Sequence, residues 1–406
     1  MLAKNINKDI RESFNLINKY RILFTAFCLS IPVYLINFTT NANSFMFAGY
    51  SLYFLALIAN VKQIRFDQAF GKLVLFLCFF LFLWMFPSVY IVFFSGRLES
   101  ETINLWGLAS RGFFFTSIII ALYPYCTRNK QNDLTKLYQS LILCLIFFMI
   151  VLIGHILIKY IDTENFRLSF RRISPLNFEA NTSSLYIFVV ILLLQTLHLK
   201  ILKWLLTAFL IFIMVGATHS RGNFIGCIIA LTIINGPCLY GYLRKIVENK
   251  TKLIITLSVV LAMMFYYSEI ANFISQLLSL DNPARSFEGG LTGRYTRWQT
   301  FFEIGQMHPW QGMGHAYTLL NYQGNDAAHN MFLRIFVENG LGLMLLILLM
   351  CVVVFAKLLQ KRLYLDLGYF CGIMFIYQFE NYSVNLFLPN IILYVVMLRA
   401  FFFKAR

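Results

Sequence analysis

Charge is what this sequence has least of. Only 13% of its 406 residues are Asp, Glu, Lys or Arg, against about 25% in a soluble domain. Half the charge needed to clothe a water-facing surface is missing. Acid is scarcer than base, with 18 Asp and Glu against 34 Lys and Arg. Metal-binding patterns are lacking too. The eight cysteines form no CxxC and no Cys/His spacing, and seven of them lie in apolar stretches, where a thiol reads as a small apolar filler. No carboxylate cluster suits a divalent cation. No internal repeat and no low-complexity stretch occurs. A cleavable leader is not expected, since the first 21 residues are polar and charged and the apolar run after them is long enough to stay as an anchor.

What the chain has instead is apolar bulk. Hydrophobic residues make up 59% of it, with 43 Phe and 22 Tyr, and the mean hydropathy is +0.69. A bilayer-spanning helix takes roughly 20 mostly apolar residues, and backbone polar groups in lipid must be satisfied within the chain. An all-α, polytopic membrane protein follows, a single membrane domain over residues 1–406. Its apolar runs predict about twelve helices, near 22–38, 45–61, 73–94, 106–124, 137–161, 183–199, 202–217, 222–241, 253–271, 331–356, 364–379 and 384–402. Residues 202–241 read best as two helices with a tight turn at Thr218-His219-Ser220-Arg221.

Basic residues set the expected orientation. On this map 22 of the 34 Lys and Arg fall on the face that carries both termini, so the positive-inside rule puts both termini in the cytoplasm. The net charge of +16 is mostly this bias. Nucleic acid is not an expected partner, because no basic surface interleaved with aromatics forms outside the membrane. Fifteen of the sixteen lysines lie on the cytoplasmic side, and Lys159 alone does not. The outer face holds arginines: Arg97, Arg167, Arg171, Arg172, Arg221, Arg285, Arg294 and Arg297. Lysine suffices to fix topology, whereas the guanidinium fork suits an anionic oxygen pair. An anionic ligand on the outer, periplasmic face is expected.

One outer loop is long. Residues 272–330 exceed any ordinary connection, and such loops are usually functional. Within it, residues 294–304 read as an amphipathic helix lying on the membrane surface, followed by the turn-rich His308-Pro309-Trp310-Gln311-Gly312-Met313-Gly314. His329-Asn330 then opens a helix that takes Arg334, Glu338 and Asn339 to membrane depth, where ionisable groups are costly. Arg334 and Glu338, four apart, are expected to pair with each other.

The order Ser220-Arg221-Gly222, Thr292-Gly293-Arg294-Tyr295 with Trp298, His308-Pro309-Trp310-x-Gly312-x-Gly314, and His329-Asn330 leading to Glu338-Asn339-Gly340 resembles the O-antigen ligase and O-antigen polymerase (WaaL/Wzy) family. The likeness covers roughly residues 167–345. It implies a GT-C-like glycosyltransferase of the bacterial inner membrane, with its active site on the periplasmic side. Its donor would be a glycan linked to undecaprenyl pyrophosphate. Its acceptor would be a sugar of lipid A–core in a ligase, and another lipid-linked repeat unit in a polymerase. It further implies that Arg221 and Arg294 hold the pyrophosphate and that His329 activates the acceptor hydroxyl. Arg297 and Asn330 are candidate substrate contacts. Arg172 is the best match for a further arginine, with Arg167 and Arg171 as competitors. The likeness implies no metal and no cofactor, and inversion at the anomeric centre. The ligase reading leads, because one outer loop dominates. The polymerase is the alternative, and a lipid-glycan flippase the reading from another class.

Overall fold

The computed structural model describes residues 67–95, 180–197, 200–216, 220–249, 287–314, 329–379 and 388–403, with isolated positions between them. The helices expected over 22–38, 45–61, 137–161 and 253–271, most of 106–124, and Arg172 lie outside the described residues. Every described element is helical: α1 (Gln68–Tyr90, running into a π-helical turn at Ile91–Ser95), α2 (Ala180–Leu194), α3 (Lys200–Gly216), α4 (Arg221–Val247), α5 (Phe287–Met307), α6 (Met331–Gln360), α7 (Tyr364–Tyr377) and α8 (Leu388–Phe402). Residues 200–247 do form two helices, α3 and α4. Among the described residues three helices are long and apolar enough to cross a membrane, Gln68–Phe94, Arg221–Tyr242 and Met331–Gln360. The protein is an all-α membrane protein.

Residues that a soluble protein would hide face outward here. Leu75, Phe93, Phe94, Ile201 and Val352 are largely exposed, as lipid-facing positions should be. The core lies among α1, α2, α3, α4, α6, α7 and α8. α2 is buried from Ser183 to Leu194, so it is apolar all round because it is surrounded by protein.

Small residues set the closest approach. On α4, Gly226 and Ala230 are four apart, and on α7, Gly368 and Gly372 are four apart. A Cβ on Gly372 would lie 2.7 Å from the Gly226 carbonyl oxygen, and one on Gly368 would lie 2.7 Å from that of Ala230. The backbones therefore touch, and van der Waals packing replaces the hydrophobic drive that lipid cannot supply. The helices run antiparallel, so the start of α4 meets the end of α7. Gly222 there faces Phe379.

Beyond α7 the chain is tied down by charge. Arg399 pairs with Asp366 at 2.8 Å, both side chains buried. Lys361, in the α6–α7 turn, donates to the carbonyl oxygens of Arg399 (3.3 Å), Ala400 (2.7 Å) and Phe403 (2.5 Å) at the C-terminus of α8. A cation belongs at that end of a helix. Burial still pulls the Lys361 ammonium below the usual lysine range, helped by Lys357 and Arg399 nearby.

Candidate functional site

α6 is bent at one residue. Gly340 has φ 80 and ψ 178, a left-handed, extended geometry that only glycine adopts cheaply. The break leaves helical carbonyls without their usual donors and one amide without its acceptor. The turn after α5 supplies both. Met313 N–H donates to the Val337 carbonyl (2.7 Å) and Gly314 N–H to that of Glu338 (3.0 Å), while Leu341 N–H donates to that of Pro309 (2.6 Å). Gly312 (φ 64) and Gly314 (φ 92) also take positive φ. A Cβ on Gly312 would strike the Glu338 carbonyl oxygen at 2.6 Å, and one on Gly340 would strike that of Trp310 at 2.2 Å. The two glycine-bearing motifs are thus halves of one seam, and their glycines are structural.

That seam docks α5 onto α6. Phe301, Ile304, Met313 and Val337 form a small core of their own. Gly305 lets Phe336 approach to where a Cβ would stand at 2.3 Å, and Phe302 lies 5.9 Å from Phe336, centroid to centroid. The amphipathic segment is therefore longer than 294–304, and it is fastened to α6 through one face. Arg294, Arg297, Trp298, Phe301, Ile304 and Gly305 follow helical spacing along that face, and Tyr295, Gln299, Thr300, Phe302 and Glu303 are exposed. Contacts advance together along both helices, from Gly305 and Phe336 to Pro309 and Leu341.

Phe379 gathers the arginine side. Its Cβ lies against Gly222, its ring stands 6.1 Å from Trp298, and the Arg294 guanidinium sits over the ring at 5.8 Å, within cation–π range. Arg221 is half-buried at the first position of α4, where the helix's opening N–H groups point along the axis. Such a terminus favours an anion. Arg297 is half-buried on the docked face of α5. Beneath Arg221, Ser220, Ser184 and Asn223 are buried, and Asn223 donates to Ser184.

His329 immediately precedes α6. Its φ is 44, which is uncommon away from glycine and worth a functional reading. Its Nδ1 is shut off from solvent. Asn330 caps α6, its side-chain oxygen accepting from Phe332 N–H at 2.9 Å and Leu333 N–H at 3.1 Å. That fixes the residue next to the histidine. Arg334 and Glu338 pair as expected, 3.1 Å apart and both buried, and Asn339 donates to the Trp84 carbonyl at 2.9 Å, tying α6 to α1. His308 is half-buried, its Nδ1 3.4 Å from the Gln311 amide nitrogen. Reasoning from sequence passed over Phe379, the common neighbour of Gly222, Arg294 and Trp298. An apolar ring just past a helix end carries no signal of its own. Among the described residues no group of His, Cys, Asp and Glu could hold a metal.

Residues 206–349 match the model of the O-antigen ligase family. That span runs from within α3 to within α6 and holds Arg221, Arg294, Arg297, His329 and Asn330. Phe379 and Arg172 lie outside it. No curated protein matches the chain.

Proposed function

We propose that this chain, which carries an O-antigen ligase family domain, is a ligase that moves a glycan from undecaprenyl pyrophosphate to a sugar hydroxyl of lipid A–core. The reaction would take place at the periplasmic face of the inner membrane, with both termini in the cytoplasm. The observation that carries the reading is the meeting of the α4 start, Arg294 and Trp298 around Phe379.

In this mechanism His329 takes the proton from the acceptor hydroxyl, and the freed oxygen attacks the anomeric carbon. The bond from that carbon to the pyrophosphate oxygen breaks, with inversion. Undecaprenyl pyrophosphate leaves with its new negative charge held by Arg221, Arg294 and the first amides of α4. One preorganised donor of this kind contributes about 2.7–4 kcal/mol, and two arginines can therefore do the work of a divalent cation. Asn330 steadies the histidine by capping α6, Arg297 extends the cationic rim toward the glycan, and Arg172 is proposed as a further substrate contact.

Purified protein, given lipid-linked glycan and lipid A–core in detergent, should form a glycosidic bond. Deletion of the gene should leave core without any O-antigen. One repeat unit retained on the core would identify a polymerase. Transport without a new bond would discard the transferase reading.

A further inference from the structure

A cavity of about 720 Å³ lies among α1, α6, α7 and α8, within the range of small-molecule sites. Its walls are apolar, with Phe76, Leu346, Met350 and Met374 among them. Leu349 and Phe401, also in the lining, are exposed, so it opens toward lipid. Among the described residues cations stand at one end only. Lys72 and Lys357, with Gln68, line the end formed by the start of α1 and the end of α6, and among the described residues no acid lines the cavity. Lys357 lies 5.6 Å from the Phe401 ring, and among the described residues neither lysine is in an ion pair. The nearby acids are engaged. Asp67 accepts from Phe70 N–H (2.8 Å) and the Tyr123 hydroxyl (3.1 Å), and Asp366 is held by Arg399.

We propose that this cavity binds an anionic phospholipid of the leaflet on the lysine side, its phosphodiester between Lys72 and Lys357 and an acyl chain along α6. From Lys357 back to Leu346 is about 16 Å of helix, half of the roughly 30 Å hydrocarbon core, which is the depth one leaflet's chain reaches. The lysines stand at the far end of α6 from His329, where the tail of a donor held at the arginines would carry no charge to meet them. The site is independent of the reaction proposed above.

The test is native mass spectrometry of the whole protein released from nanodiscs containing equal phosphatidylglycerol and phosphatidylcholine. Wild type should retain phosphatidylglycerol. Lys72→Gln/Lys357→Gln should retain it about twenty-five-fold less, at about five-fold per lysine. Leu349→Trp, which fills the mouth and leaves the charges, should also lose it. Both variants are first required to match wild type in melting in phosphatidylcholine alone, and either one suffices if the other does not fold. Equal retention by wild type and variant overturns the proposal. So does a preference for phosphatidylcholine, or recovery of a polyprenyl phosphate from this cavity in cells.

Discussion

At the scale of single residues, chemistry and architecture are divided between neighbours in the chain. His329 is proposed to move the proton, so His329→Ala should lower turnover by about two to four orders of magnitude and leave donor affinity nearly unchanged. His308→Ala should cost far less. Loss of donor binding in His329→Ala would remove the histidine from that role. Arg221→Lys and Arg294→Lys keep charge but lose the planar fork, and both should weaken donor binding, measured by titration of labelled donor. Wild-type affinity in both would end the leaving-group assignment. The glycines make a different prediction. Gly340→Ala puts a Cβ into the Trp310 carbonyl at a positive φ and should abolish folded protein, while Gly342→Ala, which meets nothing within 4 Å, should melt at or slightly above wild type. The Arg334–Glu338 pair was legible in the sequence from its spacing, and the arginines and the histidine are legible there as candidates by residue type. The role of Gly312 and Gly340 was not, because a seam between residues far apart in the chain leaves no local pattern.

At the scale of elements, the α4–α7 contact places the arginine side. The paired small residues, Gly226 with Ala230 and Gly368 with Gly372, are plain in the sequence once sought, yet nothing in either helix alone says which partner it meets. Gly372→Leu would thrust a side chain into the Gly226 carbonyl and Phe188. It should part the helices and draw Phe379 off Gly222. Donor affinity should fall at least ten-fold while helical content by circular dichroism stays unchanged. Undiminished affinity would show that this contact does not set the site. α6, expected over 331–356, is found over Met331–Gln360, whereas α4, expected over 222–241, runs on to Val247. α5 was read too short, since its first turns carry Gly289, Gly290 and Gly293 and no apolar stripe.

On the scale of the whole molecule, the charge asymmetry makes one prediction that the helices alone do not. Impermeant maleimide added to intact spheroplasts should label Gly289→Cys and Gln323→Cys but not Asn249→Cys, and the reverse pattern would invert the molecule and move the site to the cytoplasm. Composition made the class readable, because too little charge and too much Phe leave few alternatives to a membrane. It could not say how the helices surround one another, which rests on contacts such as Asn339 to Trp84 across 255 positions. The seam at Gly340 also has a consequence in time. Ribosomes deliver α5 and the 309–314 turn before Val337 and Leu341 exist, so the outer helix leaves the translocon with its docking face bare. It can settle only when α6 has been threaded. The proposed site is therefore among the last parts of the protein to be assembled, and a nascent chain stalled before α6 would hold the arginines of α4 and α5 without the histidine proposed to act with them.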